Sequence, residues 1–127
     1  MDWENFLLAG PFSARAESKS GVSELKAAAE KLGCDCFVLD CPAMATKELL
    51  FDEFALKLGL APDSARNWDA LIESLVDAAA ERKGCLLILE GQPPDKTLFS
   101  DLEDSLRSAC ESAAELGKIL RFVRVIC

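Results

Sequence analysis

Histidine is absent from all 127 residues. That gap removes the commonest general base, the usual activator of a nucleophile and the commonest metal ligand at once. An enzyme built on this chain would need Cys34, Cys36 or Cys41 as its nucleophile with no imidazole to take the proton, so no catalytic residue is assigned. Long apolar runs are missing as well. The longest compact one, CLLIL, covers only Cys85 to Leu89, against the ~18 residues that mark a membrane span. The opening MDWENFLLAG carries acids where a secretion signal carries bases, and its apolar core is short; the expected location is cytoplasmic, with no membrane contact. Positive charge is scarce: 14 bases face 22 acids, for a formal net charge of −8. A surface of that sign repels nucleic acid and attracts basic partners.

What is present argues for one packed globular domain, since 50% of the residues are apolar and the length suffices for a sizeable core. Six cysteines (Cys34, Cys36, Cys41, Cys85, Cys110 and Cys127) read as free, buried thiols of a reducing compartment. The C-x-C of Cys34 and Cys36, with Cys41 five residues on, matches neither redox C-x-x-C nor paired zinc knuckles. Neither a metal nor a cofactor is expected.

Strand and helix signals alternate along the chain. Asn5–Phe12 is an apolar run stopped by Gly10 and Pro11 and predicts a first strand, with Ala14–Gly21 a polar loop behind it. Val22, Leu25, Ala29 and Leu32 repeat at helical spacing up to Gly33. Cys36–Cys41 reads as a buried strand ended by Pro42. Thr46 can cap a helix bearing Leu49, Leu50, Phe54 and Leu58 and closed by Gly59. The turn-forming Ala61–Arg66 comes next. Ser64 or Asn67 can then cap a further helix whose apolar side is Trp68, Leu71, Ile72, Leu75, Val76 and Ala79. Cys85–Gly91 is a third strand, Leu98 to Leu116 a last helix ended by Gly117, and Ile119–Ile126 a fourth strand with Arg121 and Arg124 at its edge or ends. Strands separated by helices imply crossover connections, hence an α/β fold with a parallel four-stranded sheet and helices packed on it. Two consecutive helices fall between strands two and three, and one of them is free to present a face.

That helix, in SARNWDALIESL and beyond, places Asp69, Glu73 and Asp77 four residues apart. Like charges at that spacing destabilise a helix by roughly 0.2–0.5 kcal/mol per pair. The helix dipole excuses only Asp69, in the first turn. No lysine interrupts the row. Pattern alone allows either a solvated face of an acidic protein or a docking surface for a cationic cleft.

The segment TKELLFDEFALKLGLAPDSARNWDALIESL, Thr46 to Leu75, resembles the barstar family of ribonuclease inhibitors. The likeness rests on a helix, a short loop and an N-W/L-D-A-L motif opening a second helix, here Asn67, Trp68, Asp69, Ala70 and Leu71. It extends over about residues 34–127 and leaves 1–33 as an extra N-terminal β-α unit within one barstar-like domain. The resemblance implies a loop and second helix that plug the active site of a guanyl-preferring microbial ribonuclease, with carboxylates standing at phosphate positions. Carried onto this sequence, the partner-binding face comprises Asp63, Ala65 and Arg66 of the loop. The helix adds Asn67, Asp69, Ile72, Glu73, Val76 and Asp77, and the last helix adds Glu111 as a further acid. Asp69 is the first inhibitory acid. Glu73 takes the place of the second, usually an aspartate. Asp63, Ser64 and Ala65 stand where the family prefers aromatics and then glycine, and Ile72 where it prefers an aromatic. The expected partner is a basic ribonuclease or nuclease toxin, with the chain monomeric on its own. The alternative is a non-inhibitory interaction or regulatory module on the same fold.

Overall fold

Beyond residue 33 the hydrophobic pattern and its punctuation set the elements. The computed structural model of the chain describes residues 2–16 and 19–125, with Lys19 and Ser20 by backbone alone. Helix α3 (Lys47–Leu58) begins where the Thr46 hydroxyl accepts a hydrogen bond from the Leu49 N–H at 3.2 Å. It ends at Gly59, whose φ of 69° is open to glycine at little cost. Helix α4 (Trp68–Ala80) follows after the turn. Strand β2 (Asp35–Asp40) precedes α3, and β3 (Gly84–Glu90) follows α4. Helix α5 (Lys96–Glu115), capped by the Asp95 carboxylate on the Leu98 N–H, leads into β4 (Ile119–Val125). Ile126 and Cys127 lie outside the described residues.

The first 33 residues differ from the sequence expectation. The apolar run is a helix, α1 (Trp3–Ala9), and not a strand. Trp3, Phe6 and Leu7 recur at i, i+3 and i+4 and are all buried, and the Asp2 side chain caps the Asn5 N–H at 3.1 Å. The first strand, β1 (Ser13–Ala16), lies instead at the start of the stretch expected to be a polar loop. It pairs with β4 from Ser13↔Phe122 to Ala16↔Val125, so tertiary pairing overrides a composition poor in strand formers. Helix α2 (Lys19–Lys31) closes this unit.

The four strands form one all-parallel sheet in the order β1-β4-β3-β2. Strand β3 is buried at every residue but Glu90, because helices cover both faces. On one side Leu87, Leu89 and Phe122 meet α3, α4 and α5 through Phe54, Leu71 and Leu102. On the other, Leu86, Ile88 and Val123 meet α1 and α2 through Leu7, Leu25 and Ala29. Among the described residues no helix is long and apolar enough to cross a membrane.

The sheet order also corrects the placing of Arg121. β4 is an interior strand, so neither arginine lies on a sheet edge; Arg121 sits in mid-strand, while Arg124 stands next to the strand's end, as expected. Arg121 is buried: its Nε donates to Phe6 O at 3.3 Å, one Nη donates to Leu120 O at 3.0 Å, and its guanidinium lies 5.2 Å from the Phe12 ring centre. Loss of hydration pushes its pKa below the ordinary arginine value. Arg124 covers the Phe99 ring at 4.6 Å.

Candidate functional site

The turn before α4 is fastened at several points. The Leu60 N–H reaches back to Ala55 O at 2.8 Å, and Ser64 donates to Ala61 O from both its N–H and its hydroxyl, at 3.0 and 2.8 Å. Ser64 is thereby spent on the turn, and the cap of α4 is Asn67, whose Oδ1 accepts from the Ala70 N–H at 2.8 Å. Ala65, placed by the resemblance on the binding face, is 1% exposed and packs in the core. Arg66 is exposed and tied to the Asp52 carboxylate of α3 at 2.8 Å. Asp63 is exposed at the tip.

Helix α4 is then oriented by its apolar side. Leu71 and Leu75 are fully buried, and Trp68, Ile72 and Val76 are half-buried against the same core. Trp68 meets Phe51 edge to face with ring centres 5.2 Å apart. With that side fixed, Asp69, Glu73 and Asp77 face solvent. None of the ion pairs among the described residues uses them.

Four residues turn a helix through about 400°, so a row at that spacing drifts by about 40° per step. The stripe consequently has two shoulders. Asp69 borders a groove of about 410 Å³ between α4 and α5, with Trp68 and Ile72 on its α4 wall. Asp77 borders a separate cleft of about 310 Å³ behind the turn, beside Ser64, Glu81 and Arg82. Glu73 borders neither.

The α5 wall of the first groove holds Asp101, Asp104, Ser105 and Ser108. Glu111, the acid the resemblance selects from this helix, is exposed but does not line the groove. Asp101 and Asp104 escaped the sequence reading. The signal for them was the 4 and 3 spacing of Asp101, Ser105 and Ser108 beside the apolar row Leu102, Leu106 and Ala109, which marks the polar border of the buried face.

The five described cysteines, all but Cys127, are free. Burial pushes the thiol of Cys41 up to about 12 and that of Cys110 up to about 12, and that of Cys85 up to about 11, in each case mainly by desolvation. Among the described residues no group of three or more His, Cys, Asp or Glu side chains is placed to hold a metal ion. A stability prediction follows from the thiols. In the folded chain they keep protons that the unfolded chain releases near 9.0, so stability is intact below that pH and is lost as pH rises towards 11–12. Each thiol steepens the fall by up to about 1.4 kcal/mol per pH unit. Urea unfolding at pH 8 and at pH 10.5 should show a clear drop in midpoint; equal midpoints would mean that the thiols ionise without unfolding.

A comparison with protein families matches residues 34–124 to the family described as Barstar (barnase inhibitor). Neither the curated proteins nor the solved structures contain a significant match to the chain.

Proposed function

The chain belongs to the barstar family, matched over residues 34–124, and on that premise we propose that it is a ribonuclease inhibitor without chemistry of its own, one that blocks the basic active site of a microbial ribonuclease. The observation that carries the reading is the face of α4: three exposed carboxylates at helical spacing, none in an ion pair among those of the described residues. Each like-charged step weakens the helix by roughly 0.2–0.5 kcal/mol when the protein is alone, and a cationic partner reverses that sign. A cleft that holds phosphates with Lys, Arg and His offers such a partner, and carboxylates can occupy its phosphate positions. Asp101 and Asp104 widen the acidic surface towards α5 on the Asp69 side. In this reading residues 1–33 are an extra unit added to a barstar-like core, the whole forming one domain that is monomeric when alone.

The turn supports a second reading. Its exposed tip carries Pro62, Asp63 and Ser64, small or polar groups with no aromatic ring to stack on a base pocket or imidazole. A binding module whose turn has changed partner would look the same. Titration of a barnase-type, guanyl-preferring ribonuclease with the protein separates the two. The inhibitory reading expects stoichiometric loss of RNA cleavage, with association slowing as salt is raised to about 0.15 M, where the Debye length is about 8 Å. A folded protein that leaves cleavage unchanged favours the second reading.

A further inference from the structure

Charge balance around α4 shows where the nearby cations are kept. Arg66 is the closest base along the chain, one residue before the Asn67 cap and three before Asp69. Its guanidinium is paired with Asp52 on α3 at 2.8 Å and with none of the stripe's acids. Lys47 sits over the Phe51 and Trp68 rings at 5.9 and 5.5 Å. Arg82, at the far end of the helix, is held by Asp35 at 2.8 Å and by Ala78 O at 2.9 Å, over the Phe37 ring. Each of these three cations has a partner that is not Asp69, Glu73 or Asp77.

We infer that Asp52 is a positioning residue for the acidic face: it holds Arg66 on α3 and so prevents the protein from neutralising its own binding surface. The inference rests on the inhibitory reading for its consequence, though not for its mechanism. Asp52 lies off the α4 face, and its pair with Arg66 is partly exposed, with side-chain exposures of 55% and 38%. Pairs of that kind add at most about 1 kcal/mol to stability. Removing Asp52 therefore leaves a folded protein, in which the released guanidinium has Asp63 and Asp69 equally near along the chain, three residues to either side and both on the proposed binding face. A cation there cancels field at the entry to the surface, and the expected consequence is slower capture of a basic partner.

The test compares association rates with a barnase-type ribonuclease at low salt. Asp52→Ala should slow association about three- to tenfold, within the range that electrostatic steering supplies. In Asp52→Ala/Arg66→Ala, where no cation is left to release, association should return to the rate of Arg66→Ala alone, the reference needed because the resemblance places Arg66 on the binding face. If the pair served only to stiffen the turn, Arg66→Ala would slow association as much as Asp52→Ala, and that result overturns the inference. Net charge is controlled with Asp52→Ala/Lys26→Ala, which restores the overall charge from α2 across the sheet and leaves Arg66 released; recovery in that variant also overturns it. A partner-free readout is the set of nuclear Overhauser contacts of the Arg66 side chain. In the wild type they should fall on Asp52, and in Asp52→Ala on Asp63, Asp69 or Glu73. Contacts that vanish without reappearing on those acids refute the positioning role. A wild type that fails to inhibit while the contacts move as expected overturns the inhibitory reading and leaves the role of Asp52 standing.

Discussion

Replacing Asp69 by alanine is expected to weaken binding to a barnase-type ribonuclease by about 2–5 kcal/mol, roughly thirty- to several-thousand-fold. That range belongs to the truncation of one member of a desolvated, hydrogen-bonded charge pair, and the barnase–barstar complex is among the systems from which it was drawn. Asp69 is the position where several requirements meet. It opens the helix in its first turn, it borders the groove shared with Asp101 and Asp104, and the packing of Trp68 and Leu71 on either side fixes its direction. The loss should appear mainly as faster dissociation, because it strips a contact from a closed interface, whereas a charge that acts only on approach changes the association rate. Part of the cost is internal, since an acid in the first turn stabilises its own helix by roughly 0.3–1 kcal/mol. Circular dichroism and a urea curve of the variant measure that part separately. Unchanged dissociation with an intact fold would remove Asp69 from the interface.

Phe54→Ala should have the largest effect on the fold itself. The ring is fully buried on α3, in the core that also holds Leu39, Leu71 and Phe122. Truncations of this kind cost about 3–5 kcal/mol, as lost transfer energy plus a cavity that closes only in part. Domains of ordinary stability have about 5–15 kcal/mol in total, so a large share of the margin goes with one ring. Chemical denaturation should show the midpoint falling with the slope unchanged. A loss below about 1 kcal/mol would mean that α3 settles into the vacated space, which the fixed attachments of this helix oppose. Those attachments include Glu53, a buried carboxylate that accepts from the Asp40 N–H at 2.7 Å and from Lys57 at 3.0 Å.

The part of the fold that was legible in the sequence is the part whose signals are local. Thr46, Asn67 and Gly59 bound their helices through hydrogen bonds and backbone angles that span a few residues. β3 announced itself because a strand buried on both faces has to be apolar throughout. The misreadings have non-local causes. Gly10 and Pro11 stop a helix as readily as a strand, so the apolar run before them was ambiguous until its period of three and four was counted from Trp3. Ser13–Ala16 is a strand because β4 offers it hydrogen bonds from more than a hundred residues further on. Arg121 is accommodated on an interior strand by a carbonyl of α1, again across the length of the chain. The candidate site divides along the same line. The α4 stripe is a matter of spacing within one helix, but its drift around that helix, the burial of Ala65 and the approach of Asp101 and Asp104 depend on how α4 meets its neighbours.

Because β3 and β4 carry one core on each face, the sheet works as a bulkhead between two compartments. The compartment of Leu7, Leu25 and Ala29 lies behind it, and α4, the proposed recognition helix, is seated in front. Natural variation can therefore act on the two sides separately. Changes behind the wall adjust how much of the chain is folded, while on the proposed reading changes on α4 and the adjoining border of α5 redirect it to another target. A lineage of inhibitors of the proposed kind can follow a drifting target on one side of the sheet and preserve its folding on the other.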